Sequence, residues 1–325
     1  MLDQDIFNIQ NQEEFKTAAI SVFKYQFKNN PVYRNFCEHL RINPDSITEL
    51  HQIPFLPIQF FKSHQITTGV EKTEKIFSSS GTTGSVVSKH HITNLSTYEK
   101  SFIRAFKLFY GNPDDYNILA LLPSYLERKD SSLIYMVTDL IEKSRNPESG
   151  FYLHNLDTLI EILNSLEHSP KKTLLIGVSF ALLDLAEKFP SALKNIIVME
   201  TGGMKGRRKE LIREELHYKL KKGLGVKEIH SEYGMTELLS QAYSSGDGIF
   251  KCPPWMKVLI RDPEDALSIL GPGKTGGVNI IDLANINSCA FIATQDLGKI
   301  RTNKGFEVLG RFDNSDIRGC NLMAL

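Results

Sequence analysis

The sequence predicts an α/β protein with a helical N-terminus and a β-rich C-terminal part. Three observations predict it. Apolar residues fall at helical spacing across residues 11–40. From residue 75, short β-rich runs that enter glycine- or serine-rich loops alternate with amphipathic helical runs. Beyond residue 250 the helical spacing stops. Such alternation indicates a largely parallel sheet flanked by helices. The expected division is an α/β core with N-terminal helices over residues 1–250, then a β-rich subdomain and tail over residues 251–325.

Taken in order, Asn11 with Glu14 three residues on predicts a helix N-cap and capping box. Phe15, Ala19, Val22, Phe23 and Phe27 then share one helical face. Asn30-Pro31 restarts a second helix carrying Val32, Tyr33, Phe36 and Leu40, with proline in its first turn. In IPFLPIQFF the prolines rule out a regular helix, so that segment is expected to be extended and apolar. KIFSSS, YNILALLP, KTLLIGVS and NIIVMETGG read as strands entering loops. TYEKSFIRAFKLFY, SSLIYMVTDLIEKS, FALLDLAEKF and RKELIREELHYKLKK read as the helices between them. KVLIRD, GVNIIDL, CAFIATQD and FEVLGRFD, separated by turns such as GPGKTGG, read as the strands of the C-terminal part.

The composition excludes several classes. Hydrophobic residues at 41% and charged residues at 23% are the balance of a globular protein with a core. Lys plus Arg equals Asp plus Glu at 38 each, so no net field draws nucleic acid or an anionic membrane. Cys37, Cys252, Cys289 and Cys320 are scattered without a C-x-x-C pair, against a zinc site or a disulfide framework. No apolar h-region follows MLDQDIFNIQ, and no run approaches the roughly 18 apolar residues of a membrane span. A cytoplasmic protein without a membrane span is expected. No feature of the sequence sets its oligomeric state.

Ligands in open α/β sheets bind outside the carboxyl ends of strands, so the strand-to-loop junctions are the candidate sites. The first is IFSSSGTTGSVVSKHH, residues Ile76 to His91. Small residues after a strand let backbone amides converge on an anion, and the hydroxyls add donors. The pattern G-x-x-x-x-G-K-[ST] is absent, because Ser85 and Val86 follow Gly84. Alone, such a run is more often a plain surface loop. The second is YGMTE, Tyr233 to Glu237, where a carboxylate beside a glycine turn suits Mg²⁺ completed by phosphate oxygens. Alone, it also fits the first turn of a helix capped by Thr236. A rival site is KTLLIGVSFALLDLAEKF, which reads strand, G-x-S-x-A, helix, with Ser179 where a hydrolase nucleophile elbow would hold its serine. The last glycine of that motif is missing, and the only aspartate between Ser179 and His217 is Asp184, inside the following helix.

SSSGTTG followed by YGMTE resembles the adenylate-forming enzymes, which include acyl-CoA synthetases, peptide-synthetase adenylation domains and firefly luciferase. TQDLG, Thr294 to Gly298, looks like their T-G-D-L-G element, and GRFDNSDIRG, Gly310 to Gly319, like their hinge. TGG at 201–203 is similar to the glycine pair that lines adenine. The resemblance implies their N-terminal-domain fold, with mixed sheets flanked by helices, and the conversion of a carboxylate and ATP to an acyl-adenylate. ATP and Mg²⁺ are the implied cofactors. It implies a phosphate grip from Ser79, Ser80, Gly81, Thr82, Thr83 and Gly84, and an adenine site at Gly202 and Gly203. It further implies nucleotide contacts from Tyr233, Gly234 and Thr236, metal binding by Glu237, ribose binding by Asp296 and a nearby positive charge on Arg311.

The departures are specific. Lys89 sits two places late for the usual T-G-x-P-K, and Gln295 replaces a glycine. The mobile C-terminal domain of the superfamily, with its catalytic lysine, is expected to be absent, and Lys205 is the candidate substitute. One short branch fits: the acyl-protein synthetases of bacterial bioluminescence (LuxE type), which IPFLPIQFFK, LPSYLERKDSSLIYMV, HSEYGMTELLSQAY, CAFIATQDLG and GFEVLGRFDNSDIRGCNL resemble. That branch implies activation of a fatty acid and its transfer to a near-terminal cysteine, here Cys320. An acyl reductase or another acyl-acceptor protein is the implied partner. Two alternatives stay open: a phenylacetate-CoA-ligase-like synthetase that uses coenzyme A or a carrier protein, and a degenerate adenylate-binding module.

Overall fold

The computed structural model describes residues 6–80, 86–122, 130–152, 156–189, 192–202, 211–301 and 305–312. Asn11 caps α1 (Gln12–Asn29) by accepting the Glu13 and Glu14 amides. The Glu14 carboxylate accepts the Asn11 side-chain amide at 2.7 Å and, in place of the Asn11 backbone amide, that of Gln10 at 2.8 Å, so the box closes one residue early. Asn30 ends α1 and caps α2 (Pro31–His39) by accepting the Tyr33 amide. IPFLPIQFF is extended only to β1 (Leu56–Pro57), after which a short α3 (Phe60–Ser63) forms where proline no longer intervenes. Next come β2 (Lys75–Ser78), β3 (Lys89–Ile92), α4 (Leu95–Tyr110), β4 (Tyr116–Leu121), α5 (Ser132–Ser144) and β5 (Gly150–Phe151). They are followed by α6 (Leu156–Leu166), β6 (Lys172–Val178), α7 (Ser179–Lys188), β7 (Ile196–Thr201), α8 (Arg213–Leu224), β8 (Ile229–Tyr233) and β9 (Ala242–Ser244). The C-terminal strands are β10 (Met256–Arg261), β11 (Ile269–Leu270), β12 (Thr275–Asp282), β13 (Phe291–Ile300) and β14 (Phe306–Arg311).

The chain divides into two compact units. The first comprises residues 1–75, 88–94 and 254–325. Its sheet runs β1-β13-β12-β10-β11, with β14 on the other side of part of β13. β1 pairs parallel to β13, and the remaining pairs are antiparallel. Phe291 on β13 is the hub of this core, with the rings of Tyr33, Phe23 and Phe55 centred 5.9, 6.2 and 6.3 Å away. The buried Gln26 amide of α1 donates to the carbonyls of Asn285, Ile286 and Ser288, and accepts the Ala290 amide. The N-terminal helices are therefore part of the same unit as the C-terminal strands.

The second unit comprises residues 76–87 and 95–253. Its sheet runs β5-β4-β6-β7-β8-β9, parallel from β5 through β8 and antiparallel at β9. Every residue of β4 is buried, as expected of a parallel strand covered on both faces. The register sets Val178 beside Thr201 and Thr201 beside Glu232. The carboxyl ends of β6, β7 and β8 thus lie side by side, and each opens into one of the segments singled out by motif.

Candidate functional site

In the second unit, β2 delivers the serine run. Phe77 is buried against the rings of Tyr98 and Tyr135, and the Ser78 amide donates to the Asp130 carbonyl at 2.9 Å. Ser79 is half-buried and Ser80 exposed, so the run emerges from β2 toward solvent. At the end of β7, Gly202 adopts a left-handed φ of +68°, which glycine takes without strain. Its carbonyl accepts the Ser179 hydroxyl at 2.9 Å. Ser179 opens α7 straight after β6, as the elbow pattern anticipates, but it is buried and spends its proton on Gly202. The hydrolase reading is set aside on that contact.

YGMTE forms a turn between β8 and β9, and no helix starts there, which removes the capping alternative for Thr236. Tyr233 is buried and packs on the Phe250 ring at 5.7 Å. Gly234 is half-buried, and a Cβ at that position would sit 2.4 Å from Glu232 Oε1. Thr236 is half-buried and Glu237 buried.

Two further buried carboxyl groups sit beside these turns. Side chains at register-paired positions of parallel neighbours share a face, and successive residues alternate faces. Glu200 and Ser231 therefore point to one side, toward α8, and Thr201 and Glu232 to the other. Burial pushes the Glu200 carboxyl up, but the His217 ring, the Arg213 guanidinium and the Ser231 hydroxyl outweigh it and hold the carboxyl below its ordinary value. Arg213 Nη1 donates to Glu200 Oε1 at 2.6 Å and its guanidinium lies over the Phe250 ring. Glu232 has only the Thr201 hydroxyl as hydrogen-bond partner among the described residues. Burial, reinforced by the Glu200 charge, pushes its carboxyl up to about 7. The motifs miss this pair. The available signal was a carboxylate inside each of two strands, IIVMET and IHSEY, where polar groups need partners.

In the first unit, Asp296 on β13 and Arg311 on β14 are register partners, and Arg311 Nε donates to Asp296 Oδ1 at 3.2 Å. Asp296 is buried while the Arg311 side chain is largely exposed. The Asp296 amide donates to Thr294 Oγ1 at 3.1 Å, closing a tight loop within TQD. The Gln295 carbonyl accepts the Phe312 amide at 2.8 Å, so the residue that replaces the usual glycine ties this strand to the hinge segment.

Gly81, Thr82, Thr83, Gly84, Gly203, Lys205 and Cys320 lie outside the described residues. Lys89, displaced in sequence, opens β3 with an exposed side chain. Burial pushes the Cys37 thiol up to about 12 and raises that of Cys289 further, which disarms both as nucleophiles. Among the described residues, no group of three or more His, Cys, Asp or Glu side chains is placed to hold a metal ion. Glu237, a buried carboxylate in the turn after β8, is of the residue type that Mg²⁺ takes as a ligand. No helix among the described residues is long and apolar enough to cross a membrane.

Comparison with known proteins accords with these features. The chain is 22% identical over 346 aligned positions to the long-chain-fatty-acid–luciferin-component ligase of Vibrio harveyi, covering 97% of this chain and 89% of that one. A solved 2-hydroxyisobutyryl-CoA ligase with bound 2-HIB-AMP and CoA superposes with a TM-score of 0.69 at 13% identity, over 94% of this chain and 77% of that one. An ATP-bound RpMatB-BxBclM chimera gives a TM-score of 0.57 at 17% identity over 75% of this chain. The match spans about half of the chimera, 49% of its length. These structural likenesses establish the adenylate-forming fold. The sequence profile of one acyl-protein synthetase family matches residues 2–324, nearly the whole chain, and the protein therefore belongs to the LuxE family of acyl-protein synthetases.

Proposed function

We propose that the protein is an ATP-dependent acid–thiol ligase that activates a long-chain fatty acid as its acyl-adenylate and then carries the acyl group as a thioester on Cys320. The observation that carries this reading is the family match over residues 2–324, in a chain that also holds the motif carboxylates Glu237, in the turn after β8, and Asp296, within β13, both buried. In the first step a carboxylate oxygen of the fatty acid attacks the α-phosphorus of ATP, and the bond to the β-phosphate breaks to release pyrophosphate. In the second, the Cys320 thiolate attacks the acyl carbon, AMP leaves, and the thiol proton passes to solvent.

Each residue has a task that suits its chemistry. The hydroxyls and amides of Ser79, Ser80, Gly81, Thr82, Thr83 and Gly84 hold the β- and γ-phosphates as charge moves onto them. Gly202 and Gly203 let adenine approach the backbone, with Tyr233, Gly234 and Thr236 forming the adjoining turn. Glu237 would hold Mg²⁺, which when bound would offset the repulsion between the acid and the triphosphate. Asp296 accepts hydrogen bonds from the ribose hydroxyls, and Arg311 adds positive charge beside it. Lys205 supplies positive charge to the α-phosphate. Cys320 gains thiolate character from its neighbour Arg318, and a thioester remains reactive enough to pass its acyl group to an acyl reductase or another acceptor. The protein works in the cytoplasm.

The test is incubation with radiolabelled fatty acid, ATP and Mg²⁺. Hydroxylamine-sensitive label is expected on the wild-type protein and not on Cys320→Ala, while fatty-acid-dependent ATP–pyrophosphate exchange survives in the variant. Equal labelling of both proteins removes Cys320 from the reaction. Exchange without self-acylation, with label moving to added coenzyme A, replaces this reading with a CoA ligase.

A further inference from the structure

We infer that Arg261 is a positioning residue, one that sets the strand distortion from which Asp296 meets the ribose. The inference rests on the ribose role proposed for Asp296. Between β12 and β13 the register passes from Gly277 opposite Leu297 to Asn279 opposite Ala293. Thr294, Gln295 and Asp296 therefore face the single residue Val278, a bulge that breaks the ladder and re-aims side chains. Broken ladders leave carbonyls without partners, and a buried one costs free energy unless a donor is supplied. Arg261, at the end of β10, supplies them. Its Nη1 donates to the Val278 carbonyl at 2.9 Å and to Asn279 Oδ1 at 2.8 Å, and its Nη2 donates to the Thr294 carbonyl at 2.5 Å.

The guanidinium thus bridges both strands at the point where they separate. It also lies over the Phe312 ring, 5.5 Å from its centroid, and the Phe312 amide donates to the Gln295 carbonyl. One side chain therefore joins β12, the TQD bulge and the residue after Arg311. The room for it comes from Gly277, where a Cβ would stand 2.4 Å from Arg261 Cζ. A planar fork with several donors can make this set of bonds, whereas the single ammonium of lysine cannot reproduce its geometry. Thr294 completes the arrangement by donating its hydroxyl to the Val278 carbonyl and accepting the Asp296 amide. Asp296 is buried and its backbone is fixed at both neighbours, so the direction of its carboxylate depends on the bulge holding its shape.

The readout is discrimination between ATP and 2′,3′-dideoxy-ATP in fatty-acid-dependent pyrophosphate exchange. Wild type is expected to prefer ATP strongly, because only ATP offers the hydroxyls that Asp296 accepts from. Arg261→Met is expected to raise the KM for ATP about tenfold with little change in kcat, since modest misplacement of a binding group is costly. It should also shrink the preference for ATP toward that of Asp296→Asn. Gly277→Ala, which keeps Arg261 but takes its space, should do the same, and it decides the matter if Arg261→Met does not fold. A preference equal to wild type in a folded variant of either kind overturns the inference and leaves the proposed function standing. A wild-type protein that supports no exchange, or that uses both nucleotides equally, overturns the proposed ribose role and this inference with it.

Discussion

Glu200 and Glu232 lie near each other on adjacent strands, yet their environments push them in opposite directions. For Glu232 the folded carboxyl titrates at about 7, above its ordinary 4.5. The folded protein then binds more protons than the unfolded chain between those values, so stability falls as pH rises through that window. The penalty is absent below about 4.5, is complete above about 7, and amounts to roughly 3 kcal/mol. Glu200 has the reverse sign: its contribution is present above the ordinary carboxylate range and is lost as pH falls below it. Glu232→Gln keeps an acceptor for the Thr201 hydroxyl and removes the charge. It is expected to raise the melting temperature at pH 8, with the gain fading toward pH 4. A gain of the same size at every pH would show that charge burial is not the cause. Tyr98 and Tyr110 of α4 and Tyr243 of β9, the groups on which the Glu232 charge acts, are themselves raised by burial and stay neutral across this range. The two carboxylates were visible inside IIVMET and IHSEY, but their opposite shifts were not, because the partners Arg213, His217 and Thr201 reach them only in the fold.

Among the elements, those with strong periodicity were legible. β4, β6, β7, α4, α5 and α7 fall where β-branched runs and helical faces indicate, and the parallel order follows from their alternation. β3 and β5 were not legible. KHHI has no apolar alternation, and the two residues of β5 are a strand only because they pair with Leu119 and Ala120. α6 carried its signal in Leu156, Leu159, Ile160 and Leu163, at helical spacing, and Leu159 and Leu163 are buried. The junction of β6 and α7 shows how one local pattern serves different ends. Strand, glycine, serine, helix would expose a nucleophile if the serine stood free, but here the Ser179 hydroxyl fixes Gly202 on the neighbouring strand. Ser179→Ala is expected to cost about 1 kcal/mol in urea unfolding, the worth of one hydrogen bond. Pyrophosphate exchange should remain within a few-fold of wild type. An esterase activity that vanishes in Ser179→Ala would restore the hydrolase reading.

At the scale of the whole molecule, every residue given a chemical role lies at Ser79 or beyond, so nucleotide chemistry alone gives no reason for α1 and α2. The first unit supplies the reason. Phe291 is fully buried, with the rings of Phe23 and Tyr33 against it, and Ser288 next to the β13 entry gives its carbonyl to Gln26, Asn30 and Thr68. Deleting residues 1–40 would bare Phe291 and leave the carbonyls of Asn285 and Ile286 and the amide of Ala290 without Gln26. Each buried group left unpaired costs about 1–3 kcal/mol, against a net stability of roughly 5–15 kcal/mol for a whole domain. The fragment 41–325 is therefore expected to lose the cooperative melting of its C-terminal strands, although it keeps every motif residue. Gln26→Leu, which keeps the helix but removes the amide, should lower stability by more than about 2 kcal/mol in urea, since several backbone partners go unmet at once. Cooperative unfolding of 41–325 at the wild-type midpoint would mean that the C-terminal strands hold their core without α1 and α2. An undiminished midpoint in Gln26→Leu would mean that packing around Phe291, rather than the buried amide, joins the first helix to β13.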